Sequence, residues 1–348
     1  SYSFNDVATD DAVSNDVNSN YRAMATGQWS SINNPTNRWG LYTAIQYLNT
    51  ILREADKVEC ATTGQYVKEM FNDRTKGEAY GLRAIMMYYI LQAHGGPTTS
   101  GELLGVLNFV DPWTNTSDFN LPRASYKVCV DQILGDLEKA ESYLPLDFVD
   151  IANESQLPSK YIGKTNATDY NRVFGDFNRQ RLTSRIIKGV RAQVMLMAAS
   201  PAFSDASGVY WAQAANAAGE MIDLNGGAYG LASNGAYWYS SKNSNEINNL
   251  GNGVNPPEVL WRNNLEDNNS FEKDNYPPSL YGNGRINPTQ NLVDAFPMAN
   301  GYPIDHSSSG YDAQNPYKDR APRLELYIVA NGSKMGPRSN DLTMAADT

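Results

Sequence analysis

The chain's clearest periodic stretch is Lys76–Pro97, KGEAYGLRAIMMYYILQAHGGP. Ala79, Leu82, Ile85, Met86, Tyr89 and Ile90 recur at steps of three and four, the spacing of one helix face. A helix over about 73–94 would be roughly 30 Å long. Gly95 and Gly96 suit a left-handed cap, and Pro97 cannot continue a helix. Glu78 and Arg83 interrupt the apolar run five positions apart, so each is expected to pair with a neighbouring helix or a loop backbone. Four more helices follow from the same periodicity. One covers about 38–58, with Trp39, Tyr42, Ile45, Leu48, Ile51, Leu52 and Ala55 on its face and Thr36 or Asn37 as cap. Another covers 125–144, capped by Ser125, with Val128, Ile133, Leu134, Leu137 and Ala140 inside. The last two cover 183–199 and 207–224, the latter built on Ala212, Ala215, Ala218, Met221 and Ile222.

Between these helices the pattern fades. Residues 1–36 are polar and read as loop with one short helix near Tyr21. Residues 98–124 form a loop long enough to be functional, and 146–180 are polar and irregular. Beyond 225 the composition turns to Asn, Gly, Pro, Tyr and Ser. Only Val259–Trp261 and Leu324–Val329 have the makings of short buried strands. The expected organisation is therefore a helical scaffold over 1–225 and an irregular, loop-rich lobe over 226–348. The fold class is mainly α.

Charge narrows the partners. The formal charge is −10 and the pI about 4.8, which argues against nucleic acid and anionic membrane. No apolar run is long enough for a transmembrane helix. No signal peptide or lipobox cysteine opens the chain, which reads as processed or partial at its start. Cys60 and Cys129 are expected to be free thiols, a single disulfide being the alternative.

The chemistry of catalysis is not written in the sequence. It has no H-E-x-x-H, Walker loop or G-x-S-x-G. Its two histidines, His94 and His306, make a poor metal set, and no carboxylate pair stands out. Asp267–Asn269 with Asp274 and Asn275 lacks EF-hand spacing and reads as solvated loop. No cofactor is expected. The 22 tyrosines and 6 tryptophans suit amphipathic ligands, though they also suit large cores.

Several motifs, taken together, resemble the SusD/RagB family of outer-membrane nutrient-binding lipoproteins of Bacteroidetes. Trp39, Tyr42, Asn49 and Leu52 match its first helix. Gly77, Glu78, Ala79, Arg83, Ala84, Tyr88, Tyr89 and Gly95–Pro97 match its G-E-A helix. Asp136, Leu137, Glu138, Ala140 and Leu144–Pro145 match its D-L-E-x-A…L-P helix. Lys188, Gly189 and Ala192 match a later one. The most specific blocks are Pro288–Phe296, Asn300–Ile304, Asn315–Tyr317 and Asp319–Leu324. Two departures stand out. Ala321 occupies the position of the family's usual Asp, and no R-Y-A-E-x-x-L segment follows before Thr348, as in a chain cut short.

The resemblance implies tetratricopeptide-like helical pairs and a non-catalytic, lipid-anchored protein of the outer-membrane surface, its anchor not present in this chain. It implies binding of an oligosaccharide, or of a peptide, and delivery to a SusC-like TonB-dependent transporter. A glycoside hydrolase or a helical-repeat adaptor are the alternatives from other classes. By loop position, the ligand-binding residues are expected among Trp29, Trp113, Trp238, Tyr276, Tyr281 and Arg285, each of which also fits core packing. Trp113 is expected at the surface. Pro288–Leu324 is expected to be structural, with Arg320 and Arg323 fastening it.

Overall fold

The structure, a computed structural model, describes residues 5–30, 33–34, 36–59, 64–231, 250–251, 253–255, 258–262, 268–335 and 342–343. Trp238 and Cys60 lie outside them. The chain forms two compact units, Ser1–Thr36 with Asn264–Thr348, and Asn37–Asn263. This grouping differs from a division at 225/226. The N-terminal segment clusters with the C-terminal residues because strand β1 (Ala12–Ser14) pairs antiparallel with β4 (Ile286–Pro288). A three-residue strand in a polar segment carries too little periodicity to be read from sequence.

The second unit is helical. Its elements are α2 (Leu41–Glu54), α3 (Gln65–His94), α4 (Tyr126–Tyr143), α5 (Ala167–Phe174), α6 (Ser184–Ala198), α7 (Ser204–Ser207) and α8 (Trp211–Leu224); α1 (Asn20–Ala25) belongs to the first unit. Chain neighbours pack on one another: α2 on α3, α3 on α4, and α6 on both α4 and α8. The pairs are antiparallel. A side chain at Gly77 of α3 would run into Tyr143 and Leu144 at the end of α4, and Gly95, just past α3, lies against Tyr126 at α4's start. Likewise Arg185 of α6 donates to the Leu224 carbonyl at the end of α8. Antiparallel packing of successive helices is what helical pairs require. The core runs through Ile45, Met87, Ile90, Leu91, Ile133, Leu137, Ile187 and Val194.

The central helix α3 is longer and differently phased than its pattern predicts. It begins at Gln65, and it buries Gly81, Arg83, Ala84, Met87, Tyr88 and Leu91 as well as Ala79 and Ile90. Tyr89, assigned to the buried stripe, is 45% exposed. A helix flanked on two sides buries two faces, so a single stripe cannot describe it. Its exit also differs. Gly95 is extended, with φ −70°, and glycine is needed there for space, since a Cβ would collide with the Leu91 carbonyl. In α8 the buried residues are Ala214 and Ala217, one register off the expected face. With alanine on both the expected and the observed face the sequence gives little contrast from which to phase the helix. α5 was not expected at all. Asn166 caps it by accepting the Asp169 N–H at 2.8 Å, and Tyr170, Val173 and Phe174 fill a second cluster with Phe148 and Tyr161.

Glu78 and Arg83 of α3 both find partners on neighbouring segments. Arg83 forks onto Asp136 of α4, Nε and Nη2 each at 2.7 Å, and its Nη1 reaches Asn49 Oδ1 at 2.7 Å and the Val110 carbonyl at 3.2 Å. Glu78 pairs with Arg181. Cys129 is a buried free thiol.

In the first unit, Val293, Leu324 and Ile328 form a small core with Leu292 and Phe296. Leu324–Val329, expected as strand, lies mostly in the helix Pro322–Tyr327, which has Pro at its first turn, where the missing N–H costs nothing. Arg320 is buried and donates to the Pro316, Val293 and Phe296 carbonyls. Arg323 is exposed, so the fastening expected of both arginines falls to Arg320 alone. Val259–Trp261 is not a strand either, and Trp261 is 42% exposed.

Candidate functional site

The loop after α3 has no secondary structure over residues 105–113, and it is nonetheless fixed. Three side chains of α2 at steps of four and three hold its backbone. The Tyr42 hydroxyl donates to the Leu107 carbonyl at 2.8 Å. Gln46 both accepts from the Trp113 N–H at 2.8 Å and donates to its carbonyl at 3.0 Å. Asn49 Nδ2 donates to the Phe109 carbonyl at 3.2 Å. From the other side, Arg123 reaches the carbonyls of Gly105, Leu104 and Gly96 at 2.8–3.1 Å. A guanidinium with five donors suits this clustering of backbone acceptors. The Tyr42 hydroxyl is pushed well above its ordinary pKa, chiefly by burial, and stays a donor.

This pinned loop completes a row of rings. His94 stacks on Trp39 with centroids 3.7 Å apart. Trp39 continues to Tyr42 at 5.9 Å and Tyr42 to Phe109 at 5.7 Å. Phe109 stacks on Trp113 at 4.2 Å, and Phe119 meets Trp113 edge-on at 5.3 Å. Phe109 is buried while the row opens toward both ends: Trp39, beside the terminal His94, is 45% exposed and Phe119 58%. Trp113 is half-buried and packed against the helical core. The expectation of a surface ring is thus corrected: Phe109 covers one face of the indole. An aromatic row with open ends and a rigid base offers flat apolar surface without the entropy cost of ordering it on binding.

His94 ties this row to pH. Its Nε2 accepts the Arg38 N–H at 2.9 Å, which requires the neutral ring. Burial, and then the charges of Arg38 and Arg123, hold its pKa below the ordinary value. A depressed histidine contributes stability in full above the unfolded value of about 6.5, and loses it as pH falls through the folded value. We expect the part of the tryptophan fluorescence abolished by His94→Phe to titrate with a midpoint below about 6.5. A midpoint above it would contradict this arrangement.

The remaining expected residues are spread differently. Tyr276, Tyr281 and Arg285 come together on one loop of the first unit. That loop is closed by the N–H groups of Asn283, Gly284 and Arg285 donating to the carbonyls of Lys273, Tyr276 and Asp274. Tyr281 is 96% exposed at a φ of 62°, a region non-glycine residues seldom occupy. Tyr276 is half-buried. Arg285 lies 3.4 Å from Asn15 Oδ1 and 4.0 Å from Asp16. Trp29 is 47% exposed in the same unit. Trp113 belongs to the other unit, and Trp238 lies outside the described residues.

Trp39, His94 and Phe119 were missed. Trp39 was counted as helix core, but α2 begins only at Leu41; the Trp-Gly pair just before the apolar run was the available signal. Phe119, inside Thr-Ser-Asp-Phe-Asn, had none. Among the described residues no group of three or more His, Cys, Asp or Glu could hold a metal, and no helix is long and apolar enough to cross a membrane.

Comparison with known proteins gives the fold its place. Residues 1–160 match a family model described as SusD-like, starch-binding associating with outer membrane, and residues 236–347 match the SusD family model. No curated protein matches. A SusD-like protein of Bacteroides fragilis NCTC 9343 superposes over 98% of this chain with a TM-score of 0.67 and 19% identity. A SusD-like carbohydrate binding protein of the same organism covers 96% with a TM-score of 0.61 and 19% identity. A SusD superfamily protein of Bacteroides vulgatus ATCC 8482 covers 83% with a TM-score of 0.53 and 14% identity. The chain spans 59%, 55% and 55% of those three chains. With the helical pairs, the pinned loop and the motif blocks in place, the chain belongs to the SusD/RagB family.

Proposed function

We propose that this chain is a glycan-binding protein of the SusD type, which holds an oligosaccharide against the aromatic row and delivers it to a SusC-like TonB-dependent transporter. The observation that carries the reading is the row itself: five aromatic rings and an imidazole in sequence, rigidly backed, with Trp39 and Phe119 open to solvent. Sugar rings present flat C–H faces to such surfaces, and hydroxyls to nearby amides and backbone. In this reading the protein sits at the outer-membrane surface through a lipid anchor and captures its ligand without catalysis, a role that membership of the family supports. Tyr276, Tyr281 and Arg285, on their own exposed loop, are a second contact region in this reading, and Trp29 and Trp238 remain part of it.

Calorimetry of the chain against a panel of neutral polysaccharides is the test. Trp39→Ala is expected to weaken the best ligand about tenfold, or about 1.4 kcal/mol, with the melting temperature little changed, and incubation should release no shorter products. Unchanged affinity in Trp39→Ala would remove the row from the site. Tighter binding of a peptide than of any glycan would move the ligand class.

A further inference from the structure

The helical unit carries a cleft of about 430 Å³ away from the aromatic row in sequence. It is lined from the turn after α4, the approach to α6, the end of α8, residues 253–255, and Val259 and Leu260. A volume of this order suits a small ligand. Its charges are lopsided. Arg179, Arg181 and Arg185 line it with Asp147, in a chain whose formal charge is −10. The arginines do different work. Arg185 is committed to structure: Nε and Nη2 hold Asp147 at 2.8 and 2.7 Å, and Nη1 holds the Leu224 carbonyl at 3.0 Å. Arg181 engages Glu78 through Nε and Nη2 only, and Arg179 meets Asp176 at 3.2 Å through Nη2. Each guanidinium has five N–H donors, so both keep donors beyond these pairs.

The segment between them is strained and over-determined. Gln180 has a φ of 70°, a conformation that persists in a non-glycine residue only when the surroundings impose it. Its Nε2 donates to the Gly253 carbonyl at 2.9 Å and Asn255 Oδ1 at 2.6 Å, and its carbonyl accepts Trp261 Nε1 at 2.8 Å. Arg74 pins the preceding turn through the Val173 carbonyl and Asn178 Oδ1. Gly253 has no room for a Cβ beside Arg179. The result is that two alternate arginines line one cleft together with the apolar side chains of Ile186, Val254 and Leu260. Guanidinium groups match planar carboxylates, and the apolar side chains suit a ring face.

We propose that this cleft binds an acidic saccharide unit, a uronate whose carboxylate meets Arg179 and Arg181 while its ring lies on Val254 and Leu260. The proposal adds to the glycan reading above a separate subsite for an acidic unit, and rests on that reading for the ligand's being a sugar. The test is calorimetry of the full chain with digalacturonate, its dimethyl ester, inorganic phosphate and triglutamate. Digalacturonate is expected to bind at least tenfold tighter than each of the other three, and more weakly at 500 mM than at 150 mM salt. Arg179→Gln, which removes a half-exposed ion pair, should abolish the preference without moving the melting temperature, while Trp39→Ala leaves it intact. Equal affinity for acid and ester, equal or tighter binding of phosphate or triglutamate, an Arg179→Gln protein that still discriminates, or no binding of digalacturonate would each overturn it. Neutral glycans that bind through Trp39 while digalacturonate does not would defeat this inference alone. Digalacturonate bound in the cleft with no Trp39-dependent glycan would defeat only the assignment of the aromatic row.

Discussion

Arg83→Ala is expected to lower stability by about 3–5 kcal/mol, the usual cost of removing one partner from a buried charge pair. The Arg83 and Asp136 side chains are 5% and 1% exposed, so solvent does little to screen them. Truncating the arginine strands the Asp136 carboxylate, whose Oδ1 would keep only the Gln132 amide at 2.9 Å. It also unpairs Asn49 Oδ1 and frees the Val110 carbonyl. For a unit of this size the melting temperature should fall by roughly 10 °C. The double variant Arg83→Met with Asp136→Leu should recover most of that, because a buried pair replaced by apolar groups of similar volume is often close to neutral. The recovery is the discriminating result: a double variant as unstable as Arg83→Ala would mean that loop anchoring, rather than charge pairing, dominates. Loop anchoring has its own readout. Freeing Val110 loosens the segment beneath Phe109 and Trp113, so glycan affinity should drop in Arg83→Ala even below its melting point.

Arg320→Ala is expected to cost about 2–5 kcal/mol, as it leaves carbonyls at Pro316, Val293 and Phe296 without their donor at about 1–3 kcal/mol for each one that water cannot reach. The guanidinium also lies over the Tyr311 ring at 5.7 Å. Arg323→Ala should change stability by less than about 0.5 kcal/mol, the ordinary range for an exposed site. Denaturant unfolding of each variant, followed by hydrogen exchange at Val293 and Leu324, checks the contrast. Comparable losses in the two variants would contradict the assignment of the fastening role to Arg320. The sequence gives no means of choosing between them, since both flank Ala321-Pro322. The choice is made by the isolated bridge between Met298 and Arg320 and by the Ala321 N–H donating to the Pro297 carbonyl at 2.9 Å. Together these turn residue 320 inward and leave 323 on the outer side of the helix Pro322–Tyr327.

The two candidate sites differ in how far sequence reaches them. Trp113 stands out in the sequence because a tryptophan after Asp-Pro in a long polar loop has few reasons to be there. Its neighbours in the row come from residues 39, 42, 94, 109 and 119, and no local pattern links those positions. The same holds for the cleft, whose walls come from four separated stretches. Local periodicity reports which face of a helix is apolar, and says nothing about which loop that face will hold.

By itself the sequence determined the helices whose apolar and polar residues alternate strongly, because the 3.6-residue period is a local property. α2, α4 and α6 lie within a few residues of their expected bounds, and Ser125 caps α4 as expected, accepting the Val128 N–H at 3.2 Å. It also determined the family, through motif blocks whose order along the chain is itself information. The tertiary structure alone decided the phase of α8, where alanine gives little contrast. It decided the double burial of α3, which depends on having neighbours on two sides. It decided the pairing of β1 with β4 across more than 270 residues, and the use of Tyr42, Gln46 and Asn49 as the anchors of a loop. Each of these depends on contacts between residues distant in the chain, and the free energy that selects them exists only once the segments have met.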